Sequence, residues 1–127
     1  MSETIAAAVP KQLTTEQLVK IAIDALEDIK GKEITVLDVG HLTSMFDKMI
    51  VASGDSTRQV KSLADNVQKK LKEAGAEIIG MEGEQVGEWV LVDAGGLIVH
   101  VMHPTVRLHY NLEELWGAAR KAREHHH

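Results

Sequence analysis

Two short runs near the C-terminal third constrain this chain more than anything else in it. Glu88-Trp89-Val90-Leu91-Val92-Asp93 and Leu97-Ile98-Val99-His100-Val101-Met102 are rich in β-branched and apolar residues, and only Ala94-Gly95-Gly96 separates them. Strands joined by so short a glycine-bearing loop pair as an antiparallel hairpin, so the chain is committed to a sheet that something must cover. Upstream, Ile34-Thr35-Val36-Leu37-Asp38-Val39 and Lys48-Met49-Ile50-Val51-Ala52 read as two further strands, and Ile78-Ile79 as a short edge strand before a turn at Met81-Glu82-Gly83-Glu84.

The cover is written at helical spacing. From Thr14, Leu18, Ile21, Ala22, Ala25, Leu26 and Ile29 recur every three or four residues, with Thr14 and Gln17 placed for a capping box and Gly31 as a stop. Ser56 and Gln59 offer a second box ahead of Val60, Leu63, Ala64, Val67 and Leu71, which Gly75 closes. After Pro104, residues Thr105 to His109 fit one helical turn, and Asn111 with Glu114 can cap a last helix carrying Leu112, Leu115, Trp116 and Ala119. The order α-β-β-α-(β)-β-β-α lacks strict βαβα alternation, which predicts an α/β (α+β) fold with a mixed β-sheet packed by helices. At 127 residues and 44% hydrophobic content the chain suffices for one domain, expected over residues 13–120. Residues 1–12 read as a flexible arm and residues 121–127 as a tail whose closing histidines read as an expression-tag remnant.

Several chemistries find little support. Cysteine is absent, which removes disulfides, thiolate zinc sites and a cysteine nucleophile. A net charge of −5 is ill suited to gripping nucleic acid through its phosphates but suits a basic protein partner. No window approaches the roughly 18 to 20 apolar residues of a membrane span, and the N-terminus lacks the basic start of a secretory signal, so a soluble protein is expected. The loop Ser53-Gly54-Asp55-Ser56 could cradle a phosphate, yet Ser56 as a helix cap accounts for it, and neither phosphate-binding glycine fingerprint occurs. Glu82 and Glu84 flank Gly83 in a polar turn, and Asp38 and Asp93 stand at strand ends, where turn and cap roles are ordinary. His100 and His103, three apart on a strand, would point to opposite faces, which leaves His100 half-exposed in the sheet and no metal pair. Ser53, Ser56, Asp55 and His41 supply triad residue types without a nucleophile elbow.

Only four aromatic residues occur, Phe46, Trp89, Tyr110 and Trp116. Alternation puts Trp89, Leu91 and Asp93 on one face of their strand and Val90 and Val92 on the other. If the valines face the helices, Trp89 and Leu91 form a surface suited to a protein partner; in the converse arrangement Trp89 is core. Trp116, in register with Leu112 and Leu115, reads as packing.

Three collinear segments carry a resemblance. They are Met49-Ile50-Val51-Ala52-Ser53-Gly54-Asp55-Ser56-Thr57-Arg58-Gln59-Val60-Lys61-Ser62-Leu63-Ala64-Asp65, then Glu82-Gly83-Glu84 with Trp89-Val90-Leu91-Val92-Asp93, then Ile98-Val99-His100-Val101-Met102 leading to Leu112-Glu113-Glu114-Leu115-Trp116. Over about Leu13 to Trp116 the chain resembles the RsfS/Iojap/YbeB family. The resemblance implies a nucleotidyltransferase-like topology without its chemistry: a ribosomal silencing factor that is not an enzyme and needs no cofactor. It would bind the large ribosomal subunit through its uL14-type protein, block subunit association sterically and repress translation. By matching position, Trp89, Leu91, Asp93 and Met102 are the expected partner-binding residues, with Gly95 and His100 also in family-like places. The chain departs from the family pattern at Gly96, where an acidic residue is common, and at Asp47-Lys48. The competing class is a nucleotidyltransferase-like enzyme or nucleotide binder, separable by metal-dependent nucleotide binding. A homodimer of the free protein through the same hairpin face is a third possibility.

Overall fold

The computed structural model describes residues 13–116. Its elements in chain order are helix α1 (Thr15–Asp28), strands β1 (Lys32–Asp38) and β2 (Lys48–Ser53), helix α2 (Thr57–Glu73), strands β3 (Gly80–Glu82), β4 (Trp89–Asp93) and β5 (Leu97–Met102), and the short helix α3 (Pro104–Tyr110). A further helical stretch runs over 112–116. The expected arm at 1–12, the tail at 121–127 and the helical position Ala119 lie outside the described residues.

The strands form one five-stranded sheet in the order β1-β2-β5-β4-β3. The glycine-linked runs pair as the expected antiparallel hairpin, Trp89 opposite Met102 and Leu91 opposite His100. β2 and β5 run parallel, Val51 opposite His100, and both edge strands are antiparallel to their neighbours, so the sheet is mixed.

Helix α1 opens with the full capping box: Thr14 Oγ1 accepts from Gln17 N–H at 3.1 Å and Gln17 Oε1 accepts from Thr14 N–H at 2.8 Å. It ends with Lys30 in the left-handed region at φ 61, and the Gly31 N–H reaches back to the Leu26 carbonyl at 2.8 Å. The stop therefore uses Gly31 one position later than a glycine cap usually sits. Helix α2 is capped by Ser56, whose Oγ accepts from Gln59 N–H. The return bond differs from a closed box: Gln59 Oε1 accepts from Asp55 N–H at 2.6 Å, and its amide nitrogen donates to the Ile29 and Lys30 carbonyls. One side chain thus ties the end of α1 to the start of α2.

Both helices lie on one face of the sheet. Leu18, Ala22, Ala25 and Leu26 of α1 meet Val60, Leu63, Ala64, Val67 and Leu71 of α2 over Ile50, Ala52, Val90, Val92, Leu97, Val99 and Val101. This is the alternation of the strands made physical: every second residue of β4 and β5 enters an apolar core.

Three expectations shift. The edge strand is Gly80–Glu82 and not Ile78-Ile79: Gly80, Met81 and Glu82 pair with Asp93, Val92 and Leu91, while Ile78 packs on the core ahead of the strand and Ile79 is exposed. The following turn accordingly starts at Gly83 (φ +89), where any Cβ would collide with the Trp89 carbonyl oxygen. In the last helical stretch Leu112 and Trp116 pack inward but Leu115 faces solvent.

Candidate functional site

The opposite face of the sheet carries a second, smaller core. Val39, Met49, Val51 and Met102 are buried there, and Leu37, Phe46, Trp89, Val106, Leu112 and Trp116 pack around them. Trp116 meets the edge of the Phe46 ring at 6.0 Å between centroids, the packing role expected of it. The chain after β5 crosses this face and covers part of it; the β4 side is left more open.

The two arrangements left open for β4 are now resolved. Val90 and Val92 are fully buried beneath the helices, so Trp89, Leu91 and Asp93 project to the other face, all half-buried. The Trp89 indole N–H donates to His100 Nδ1 at 2.9 Å, and the Tyr110 ring of α3 lies 4.8 Å from the Trp89 ring at a tilt of 49°. Tyr110 is 54% exposed, so the pair presents an aromatic surface held from behind. Asp93 Oδ1 accepts from Gly95 N–H at 2.9 Å, which spends one of its oxygens on the hairpin loop. Met102 lies fully buried in the second core, opposite Trp89 in the β-ladder, and supports this surface from beneath rather than forming part of it.

His100 is buried, not half-exposed, with 7% of its surface accessible. Burial pushes its imidazole pKa down from 6.5 to about 4. Neutral, with Nδ1 accepting from Trp89, the ring carries its proton on Nε2. His103 does not extend the strand at all; it caps α3, its Nδ1 accepting from Thr105 N–H.

The residue that sequence reasoning passed over is Arg107, on α3. Its guanidinium is buried and makes a bidentate pair with Glu113, Nε to Oε1 and Nη2 to Oε2, both at 2.8 Å. Nη1 donates to Ser53 Oγ at 2.9 Å and Nη2 to Thr35 Oγ1 at 3.1 Å. The arginine also holds the Glu113 carboxyl below its ordinary pKa. Nothing in the periodicity marks Arg107, because a charged residue in a short amphipathic turn normally faces water.

The other candidates stay apart. Ser53 is bound to Arg107, Ser56 caps α2, Asp55 pairs with Lys32 Nζ at the surface and His41 is exposed, so no triad assembles. Asp38 pairs with Lys48, which holds its carboxyl below the ordinary value. Among the described residues no three acidic, histidine or cysteine side chains converge as metal ligands, and no helix is long and apolar enough to cross a membrane.

Fold and site together define a small α+β protein whose candidate site is a braced aromatic surface on the second face of a mixed sheet. The family model described as "Ribosomal silencing factor during starvation" matches residues 12–127, and the chain belongs to this RsfS family. It is 63% identical over 102 residues to the ribosomal silencing factor RsfS of Chromobacterium violaceum, covering 80% of this chain and 84% of that one. A crystal structure of a protein from the same organism superposes with a TM-score of 0.82 at 61% identity, covering 83% of this chain and 88% of the other. A second, from Bacillus halodurans, gives 0.74 at 34% identity over 80% and 95%.

Proposed function

We propose that this chain is a cytoplasmic, non-catalytic repressor of translation that binds the large ribosomal subunit and keeps the small subunit from joining it. The observation that carries this reading is the Trp89 surface: an aromatic pair, Trp89 and Tyr110, braced by His100 and flanked by Leu91 and Asp93. A half-buried tryptophan with a fixed orientation is the kind of residue that dominates protein interfaces, because little freedom is lost when a partner covers it. Relatives of this chain are named as ribosomal silencing factors. The acidic net charge complements a basic ribosomal protein, and the partner is taken to be the uL14-type protein of the large subunit. Trp89, Leu91 and Asp93 make the contact, and Met102 supports them from within. Occlusion of a joining surface requires no bond-making, so no cofactor enters.

The test is co-sedimentation of the purified chain with separated subunits, followed by a subunit-joining assay on a sucrose gradient. Migration with the large subunit and a depleted joined-ribosome peak is expected. A folded chain that associates with neither subunit would overturn the reading.

A further inference from the structure

The braced surface has two supports of different kind, and the second suggests a role for Arg107. His100 fixes one edge of the Trp89 indole from within the sheet. Tyr110 meets the ring from α3, an element of seven residues. A helix of two turns has no stability of its own and holds its place only through what it packs on. Its start is fixed by the direct run from β5 and by the His103 N–H donated to the Glu88 carbonyl at 2.9 Å; beyond that, Val106 reaches the second core, and Arg107 ties α3 to Thr35 on β1, to Ser53 at the end of β2 and to Glu113 in the segment that follows. All five guanidinium donors lie on one rigid plane, so bonds to three separate elements fix the rotation of α3 as well as its position. Tyr110 sits three residues after Arg107, on the same helix; it is more than half exposed, and its ring meets Trp89 and the edge of the neighbouring His109 ring.

We infer that Arg107 is a positioning residue for the ribosome-binding surface: by clamping α3 to β1, β2 and Glu113 it holds Tyr110 against Trp89 and so presents the aromatic pair in one orientation. The inference rests on the proposed binding role of that surface. Arg107 itself touches no partner. It acts through Tyr110, and this separates it from a residue that merely stabilises the chain.

A double-mutant cycle reads that difference. Binding of the full chain to isolated large subunits is measured for Arg107→Met, Tyr110→Ala and the double variant, alongside the indole N–H resonances of Trp89 and Trp116, assigned with Trp116→Phe. Arg107→Met is expected to weaken binding by about tenfold and to shift the Trp89 resonance, with cooperative unfolding retained because the larger core lies on the other face. Tyr110→Ala is expected to do the same. The double variant should then bind within about twofold of the weaker single one, since the clamp has nothing left to position. Losses that multiply, or a Trp89 resonance that Arg107→Met leaves in place, would overturn the inference. Should Arg107→Met fail to fold, Arg107→Lys, which keeps the charge and loses the planar fork, enters the same cycle with the same expectations. An unmodified chain that binds no large subunit would sink the binding reading, while the Trp89 resonance in the same variants still decides whether Arg107 positions Tyr110.

Discussion

The two faces of the sheet are built on different principles. Beneath α1 and α2 the inward side chains of β2, β4 and β5 are apolar, most of them with no accessible surface. On the other face lie all three buried polar or charged residues among those described, Ser53, His100 and Arg107, each hydrogen-bonded. An apolar core tolerates many packings of similar volume, whereas a polar network is satisfied in few geometries. The first face therefore holds by apolar burial alone, whereas the second adds polar contacts that fix orientation as well as contributing stability.

The largest expected effect belongs to the first face. Leu63 is fully buried between α1, α2 and the sheet. Leu63→Ala should cost about 3 to 4 kcal/mol, through lost burial and a cavity the helices cannot close. Urea unfolding would show it, and large-subunit binding by the fraction still folded should be unchanged. A binding loss beyond the unfolded fraction would break the division between the faces.

The second face should instead show itself through pH. A histidine whose pKa is lower folded than unfolded binds fewer protons in the folded state. Stability is then full above about 6.5 and falls as pH drops through that value toward about 4. The total loss for His100 is about 3 kcal/mol. Protonation also destroys the Nδ1 acceptor that orients Trp89. His100→Asn offers an amide oxygen near the position of Nδ1 and does not titrate, so it should flatten the fall between pH 6.5 and 4; an unchanged slope would assign it to other groups. Glu113 acts lower down: its depressed pKa means the stabilisation it shares with Arg107 is present above about 4.5 and lost as pH falls through its folded value.

Next comes the clamp itself. Arg107→Ala strands Glu113 and should cost about 2 to 3 kcal/mol, below the range for a fully buried pair because the Glu113 side chain is 31% exposed. Replacing both partners, as Arg107→Met with Glu113→Leu, should recover most of that stability in thermal melts. A double variant no more stable than Arg107→Ala would show that the pair itself, rather than the stranded carboxylate, supplies the stabilisation.

The same division governs how much could be read from sequence. The first face was legible because periodicity reports burial: the stripes of α1 and α2 and the alternation in β4 and β5 each have one apolar side. Caps followed for the same local reason, since Thr14 and Gln17 bond within four residues. The second face was only partly legible. Alternation placed Trp89, Leu91 and Asp93 together but could not choose their side, and it assigned His100 an exposure that the Trp89 indole and its neighbours remove. Arg107 was invisible because two of its three partners, Thr35 and Ser53, are 72 and 54 residues away in sequence, and the near one, Glu113, lies beyond the end of α3 and not at the helical spacing of three or four. The β3 boundary moved because a three-residue edge strand has too few positions to show a period.

Trp89→Ala sharpens the comparison most, although its expected cost in stability is the smallest. The side chain is half-buried, touches the second core on one side and Tyr110 on the other, and belongs wholly to neither core nor surface. Truncation of a fully buried tryptophan would cost about 3 to 5 kcal/mol; half the burial suggests about 1 to 2 kcal/mol here, so the variant should remain folded. Binding to the large subunit should fall by about 2 kcal/mol or more if Trp89 is the anchor of the surface. Trp89→Phe separates the contributions, since it keeps an aromatic ring for Tyr110 and the core but removes the N–H given to His100, a bond worth about 1 kcal/mol. A Phe variant that binds like the parent would show that ring area carries recognition and that His100 serves stability alone. One that binds as poorly as the Ala variant would show that orientation of the ring, fixed by the buried imidazole, is what the partner reads.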